Sequence, residues 1–453
     1  MAGSMDRQGV RLGVSLSLLT AGQLLTSLGI QWYTIARLGA GSQTDALYAG
    51  SSLLQVCSAV VLDQVSFVLV PLLAARDERE RAVLGWPLFI GIGALFTLVT
   101  LLLYAVAPYL VPVMTPGFAD STAVLAVELA RVQLLGLLGA ACFTVLSALH
   151  QARNRFLWPS GAVLIATILG WWILMAGLDS LGVQLAAWVQ VLLWCGPALL
   201  LVRGLGPWSP GLMNHTAVFR DLWLRVRPLL LSAAFVRTGF VVDRFFTSFL
   251  AAGSLVLLDV TWRVMAAIVR IFNQGLVTPA VPTLATLAKS GSWQEFVRLC
   301  HARLLWMGGA GLTAFALLFG TVTLGRSFGD HLSTLGVTVE MLATIQTIVL
   351  AGGGLLLFGG LTHVLVNAFY AEGETGIPAR VEIGTSLAGL ALKGVGFIMG
   401  GLTGIAVATS IQYGLSGLLL GLLFHRRMAS RLRSSVLNPV QSIFVSETSG
   451  RLS

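Results

Sequence analysis

The chain has 453 residues, 56% hydrophobic and only 10% charged, with a mean hydropathy of +0.86; soluble domains carry about 25% charged residues, so a soluble globular protein is excluded and a polytopic membrane protein is predicted. The formal net charge of +9 is almost all arginine, the only lysines being Lys289 and Lys393, and it reads as a topology signal rather than a nucleic-acid surface. At about 20 residues per span the length accommodates roughly twelve helices and no sizeable soluble domain.

Apolar runs predict spans at 12–36, 44–75, 83–112, 122–151, 156–178 and 182–203, then at 228–250, 255–287, 303–324, 339–371, 380–400 and 403–424. Arg7 and Arg11 precede the first run without a small-residue cleavage site after it, so this span is expected to be retained. Asp63 lies deep in the second span with no basic residue within a helical turn. It is either a proton or cation site or the partner of an arginine from another helix. Glu128 and Arg131, three apart in the fourth span, are expected to pair. Cys57, Cys142, Cys195 and Cys300 lack metal-ligand spacing, so neither a disulfide framework nor a metal site is expected.

Arginine-rich loops alternate with arginine-poor ones. Residues 76–81, Arg153/Arg155, Arg203 with Arg220, Arg225 and Arg227, Lys289/Arg298/Arg303, Arg380, and Arg426/Arg427/Arg431/Arg433 fall on one side. The loops 113–121, Asp179-Ser180 and 251–254 fall on the other, with Arg37 and Arg326 as exceptions. By the positive-inside rule both termini are expected in the cytoplasm.

Between Arg225 and Ala288 two predicted spans meet at the turn 251–254 and carry Arg237, Asp243, Arg244, Asp259, Arg263 and Arg270. A charge at bilayer depth costs about 3 kcal/mol even on lenient insertion scales, so these arginines are expected to line an internal cavity. Arg237 and Arg244 share one helical face, as do Asp259, Arg263 and Arg270. Counted from the turn, Arg244 and Arg263 lie roughly 12 Å deep, and Arg237 with Arg270 roughly 23 Å deep. Guanidinium groups suit bidentate binding of phosphate oxygens, so this wall predicts a pocket for an anionic, phosphorylated substrate. The alternative is internal neutralisation, with Asp259–Arg263 as an i,i+4 pair and Asp243 answering a second arginine. Farther on, Lys393 sits near the middle of the eleventh span and needs an anion or a partner.

The chain also repeats itself. Gly41-Ser42 leads to Pro71-Leu72-Leu73-Ala74 over nearly the same interval as Gly253-Ser254 leads to Pro282-Thr283-Leu284-Ala285, and Ala148–Pro159 echoes Ala368–Pro378. An all-α protein of two parallel six-helix lobes around a central cavity is therefore predicted, with lobes at 1–204 and 228–425, a cytoplasmic linker at 205–227 and a basic tail at 426–453. No catalytic nucleophile and no nucleotide-binding glycine loop is present, so the chain is not expected to be an enzyme or to need a cofactor. Coupling to a proton or sodium gradient, or to the membrane potential, is the expected energy source.

The segment Arg37-Leu38-Gly39-Ala40-Gly41-Ser42-Gln43-Thr44-Asp45-Ala46 resembles the first outer turn of the MurJ/MviN lipid II flippases, in the superfamily of multidrug (MATE) and oligosaccharide-lipid exporters. So do Thr115-Pro116-Gly117-Phe118, Asn154-Arg155-Phe156 ahead of Pro159, the stretch from Phe246 to Leu284, and Gly404-Ile405-Ala406-Val407-Ala408-Thr409-Ser410. The resemblance implies alternating-access transport of an undecaprenyl-diphosphate-linked saccharide, a lipid II-like peptidoglycan precursor or an exopolysaccharide repeat unit, across the bacterial cytoplasmic membrane. Arg263 matches the family's cavity arginine, Asp45 its aspartate after the first turn, and Asp63 falls near its acidic residue in the second helix. Substrate binding is thus expected at Arg237, Arg244, Arg263, Arg270 and Lys393, and ion coupling at Asp63 and Asp45. The sequence departs from the family in the stretch Gln23 to Tyr33, which has no arginine, in Ala266/Ala267 where the family has a glutamate, and in the lack of two further helices that would form a lipid-tail groove. A drug-cation antiporter and a non-transporting scaffold for envelope-biosynthesis enzymes stay open as alternatives. The expected partners are the lipid-linked substrate and membrane lipids, with no nucleic acid.

Overall fold

The computed structural model describes the backbone of residues 2–206, 208, 216–237, 239–328 and 336–449, and the side chains of these except 2–14, 231, 232, 235, 236 and 434–449. The expected linker residues 207 and 209–215, the side chains of Arg7 and Arg11, and those of the basic tail after Arg433 lie outside the described residues. Among the described residues there is no strand. The chain is an all-helical membrane protein, as its composition requires.

Helix α1 (Ala2–Leu38) ends where Gly39 takes φ +80. The second span is broken into α2 (Ser42–Gly50), α3 (Ser52–Cys57), a π-turn (Ser58–Leu62) and α4 (Asp63–Ala74). Helix α5 (Glu78–Met114) begins under an Asp77 cap whose side chain accepts from the Glu80 N–H. Helix α6 (Asp120–Ala152) is the most enclosed. Its small residues permit this: a Cβ at Gly139 would lie 2.5 Å from Cys195 Sγ. Helix α7 (Leu157–Leu201) contains two crossings hinged at Gly182, whose φ of 61 and ψ of −149 suit only glycine.

After the linker come α8 (Thr216–Val236), α9 (Gly239–Thr247) and α10 (Ser254–Phe272). A second π-turn (Asn273–Val277), a 3-10 turn (Thr278–Ala280) and α11 (Val281–Ser290) follow. Two π-turns thus interrupt the described helices, at Ser58–Leu62 and at Asn273–Val277, and π-turns often mark functional positions. Helix α12 (Trp293–Ser327) precedes α13 (Val339–Gly352) and α14 (Gly354–Ala371). Ser410 mends the break between those two, its Oγ accepting from the Gly354 N–H (3.0 Å) and donating to the Ala351 carbonyl (2.6 Å). Helix α15 (Gly376–Ser449) is hinged at Gly400 and Gly401.

Seven helices of the described chain are long and apolar enough to cross a membrane, and the spans Leu157–Leu205 and Gly376–Arg433 each fold back at a glycine hinge. Each of the twelve predicted spans lies largely in helix; the one at 228–250 takes in the end of α8 and all of α9, with residue 238 outside the described residues. The chain packs as two compact units, residues 1–260 with 328–342, and residues 261–327 with 343–453. The first has a core built on Leu69, Leu73, Leu88, Leu137 and Leu146, and the second one built on Phe296, Cys300, Phe369 and Phe424.

Candidate functional site

Helix α9 is short and carries Asp243, Arg244 and Thr247 on its buried face. Arg244 is only 2% exposed. Its Nη1 donates to Ser52 Oγ (2.5 Å), and its Nη2 donates to Gln55 Oε1 (3.1 Å) and to Asp259 Oδ1 (3.1 Å). Phe240, one turn earlier, lies under the guanidinium at 5.0 Å. The Asp259 carboxylate therefore answers Arg244 across the hairpin. Ser52 and Gln55 complete the cluster from α3. Sequence reasoning had not singled them out, although the polar run Ser51-Ser52…Gln55 interrupts an otherwise apolar span.

At the arginine-poor end the first and second halves are tied by backbone polarity. Asp45, 3% exposed, accepts from the Gly253 N–H at Oδ2 (2.6 Å) and from the Val256 N–H at Oδ1 (2.9 Å). It thus meets the positive N-terminus of α10, a favourable place for an anion. Gly253 has φ +92, and a Cβ there would lie 2.5 Å from the Ala40 carbonyl oxygen. Beside this, the Gly117 N–H donates to Ser248 Oγ (3.0 Å), and a Cβ at Gly117 would collide with the Phe249 backbone at 2.6 Å. Asp45 and Ser248 thereby clasp the segments 39–45, 115–119 and 248–254.

The other expected site residues are spread more widely. Arg237 is exposed at the end of α8, Arg263 is half-buried in α10, and Arg270 is exposed near its end. Lys393 is buried within α15, at 6% exposure. Asp63 is half-buried at the first position of α4, directly after the π-turn. The expected Glu128–Arg131 pair does not form: Arg131 stacks on Tyr104 at 5.0 Å and donates to its carbonyl. The aromatic ring and an adjacent carbonyl serve the cation, while Glu128 stays exposed. Arg37, an exception to the charge alternation, is answered by Asp179 at 3.6 Å.

A hinged, all-helical bundle with broken second spans and cations held within apolar helices has the architecture of a polytopic membrane transporter. The lipid II flippase MurJ family matches residues 36–446, and the chain belongs to that family. Its fold is similar to that of a lipid II flippase MurJ solved in an inward closed conformation, with a TM-score of 0.75 at 16% identity over 94% of this chain and 91% of that one. It is also similar to an inward-facing multidrug resistance MATE family transporter of the MOP superfamily, with a TM-score of 0.74 at 14% identity over 91% and 96% of the two chains. A eukaryotic MATE transporter gives a TM-score of 0.57 at 16% identity over 93% of this chain and the whole of that one.

Proposed function

We propose that the protein is a flippase of the bacterial cytoplasmic membrane that carries a polyprenyl-diphosphate-linked saccharide to the outer leaflet by alternating access. The observation that carries this reading is the family match, which runs through every span from the end of α1 to the tail. In the proposed mechanism Arg263 and Arg270 on α10 meet the diphosphate, and Arg237 is proposed as a separate cation of the pathway. Arg244 is assigned a different part, since its donors already serve Ser52, Gln55 and Asp259: it fixes the hairpin that presents the other arginines. Lys393 is proposed as a further cation of the pathway and Asp63 as the ion-coupling carboxylate.

Asp45 is proposed to hold the outer end shut. Its two bonds to the start of α10 join the first half to the second, so opening toward the outside requires breaking them. The bonds are charge-assisted, worth about 1.5–3 kcal/mol each, which is small enough for substrate or ion binding to offset. The test is transport of a fluorescent polyprenyl-diphosphate saccharide in proteoliposomes. Wild type is expected to move it, with Arg263→Ala and Arg270→Ala inactive although inserted; movement of cationic dyes in its place would favour a multidrug exporter.

A further inference from the structure

The turn between α4 and α5 carries six charges in a row, and they divide into two groups. Glu78 is taken by Arg153 (2.7 Å) and Arg81 (3.6 Å), and Arg81 also donates to the Ala152 carbonyl. Arg76 and Arg79 form no ion pair among the described residues. They open onto a cavity of about 500 Å³ together with Asp77 and Glu80, and Val218 of α8 closes its apolar wall with Val83 and Leu84. Arg76 is half-buried, and its Nη1 is sealed from solvent with no hydrogen-bond partner among the described residues. A partly desolvated guanidinium with an unsatisfied donor is a strong attractor for an anionic oxygen.

The cavity lies at the membrane surface. Helices α4 and α5 both belong to candidate spans that end at this turn. Trp86, two turns into α5, meets Trp208 edge to face at 4.4 Å and donates to the Gly206 carbonyl; tryptophans are enriched at headgroup level. The lining is balanced in charge: two guanidinium groups face Glu80 and the Asp77 carboxylate, whose Oδ1 is occupied by the Glu80 N–H. We propose that this cavity binds the headgroup of a zwitterionic aminophospholipid of the inner leaflet. The phosphodiester sits on Arg76 and Arg79, the ammonium on Glu80, and the first methylenes of the glycerol and acyl chains on Val83, Leu84 and Val218. A net-neutral lining favours such a ligand over a lipid with a net negative charge. The site is separate from the transport pathway proposed above and does not depend on it.

Native mass spectrometry of the purified full chain tests this, titrated with phosphatidylethanolamine, phosphatidylcholine and phosphatidylglycerol of identical acyl chains, and with soluble glycerophosphoethanolamine. Phosphatidylethanolamine is expected to bind preferentially. Arg76→Gln with Arg79→Gln is expected to weaken it roughly tenfold or more, the worth of one charge-assisted hydrogen bond. Glu80→Gln is expected to reduce its affinity to that for phosphatidylcholine. An unchanged thermal midpoint ties these losses to the site, and Arg79→Gln alone serves if the double variant unfolds. The proposal is overturned if phosphatidylglycerol binds as tightly, if the arginine variants bind phosphatidylethanolamine like wild type, or if the soluble headgroup matches the lipid.

Discussion

A guanidinium removed from water needs acceptors for its donors, and the two Nη groups of Arg244 find them in a hydroxyl, an amide and a carboxylate contributed by α3 and α10. Deleting one partner of such a buried pair leaves the other charge uncompensated, at a cost of about 3–5 kcal/mol. Arg244→Ala and Asp259→Ala are therefore each expected to lower the thermal midpoint in detergent strongly. The double variant is expected to be less destabilised than the sum of the two, as a double-mutant cycle measures. Arg270→Ala, on an exposed side chain, is expected to leave the stability within about 0.5 kcal/mol of wild type while abolishing transport. The sequence made the arginines legible as charges set within apolar runs. It did not reveal that Asp259 serves Arg244, because the i,i+4 rule sees one helix while this partner came from the other arm of the hairpin.

At the scale of elements, the breaks matter more than the helices. The twelve spans were readable because an apolar run of that length is a strong signal. The π-turns at Ser58–Leu62 and Asn273–Val277 were not, since no residue type marks a π-turn. Three glycines matter by geometry, each at a positive φ: Gly182 and Gly401 at the hinges, and Gly253 at the clasp. Gly253→Ala both strains a positive φ and drives a methyl into the Ala40 carbonyl. It is expected to separate the turn 251–254 from the turn 39–41, which increased labelling of a cysteine placed at Ala252 by a membrane-impermeant maleimide would register. Asp45→Ala removes two bonds to the start of α10 and is expected to raise the same labelling. Asp45→Asn, whose single amide oxygen still accepts one N–H group, is expected to fall between it and wild type.

For the whole molecule, composition specified an all-helical membrane protein, and the family match over residues 36–446 agrees with the motifs quoted from the sequence. The identity of the cargo was less legible. Phosphate-binding cations can be counted in a sequence, but a saccharide leaves no comparable periodic or charged signature. The account depends on α10 presenting Arg263 and Arg270 to a diphosphate that crosses the membrane. The most direct measurement is the initial rate of outward movement of a fluorescent undecaprenyl-diphosphate saccharide in proteoliposomes holding wild type or Arg263→Ala/Arg270→Ala protein in matched amounts. The account predicts transport by wild type and a rate at the empty-liposome level for the double variant; equal rates for the two proteins would contradict it.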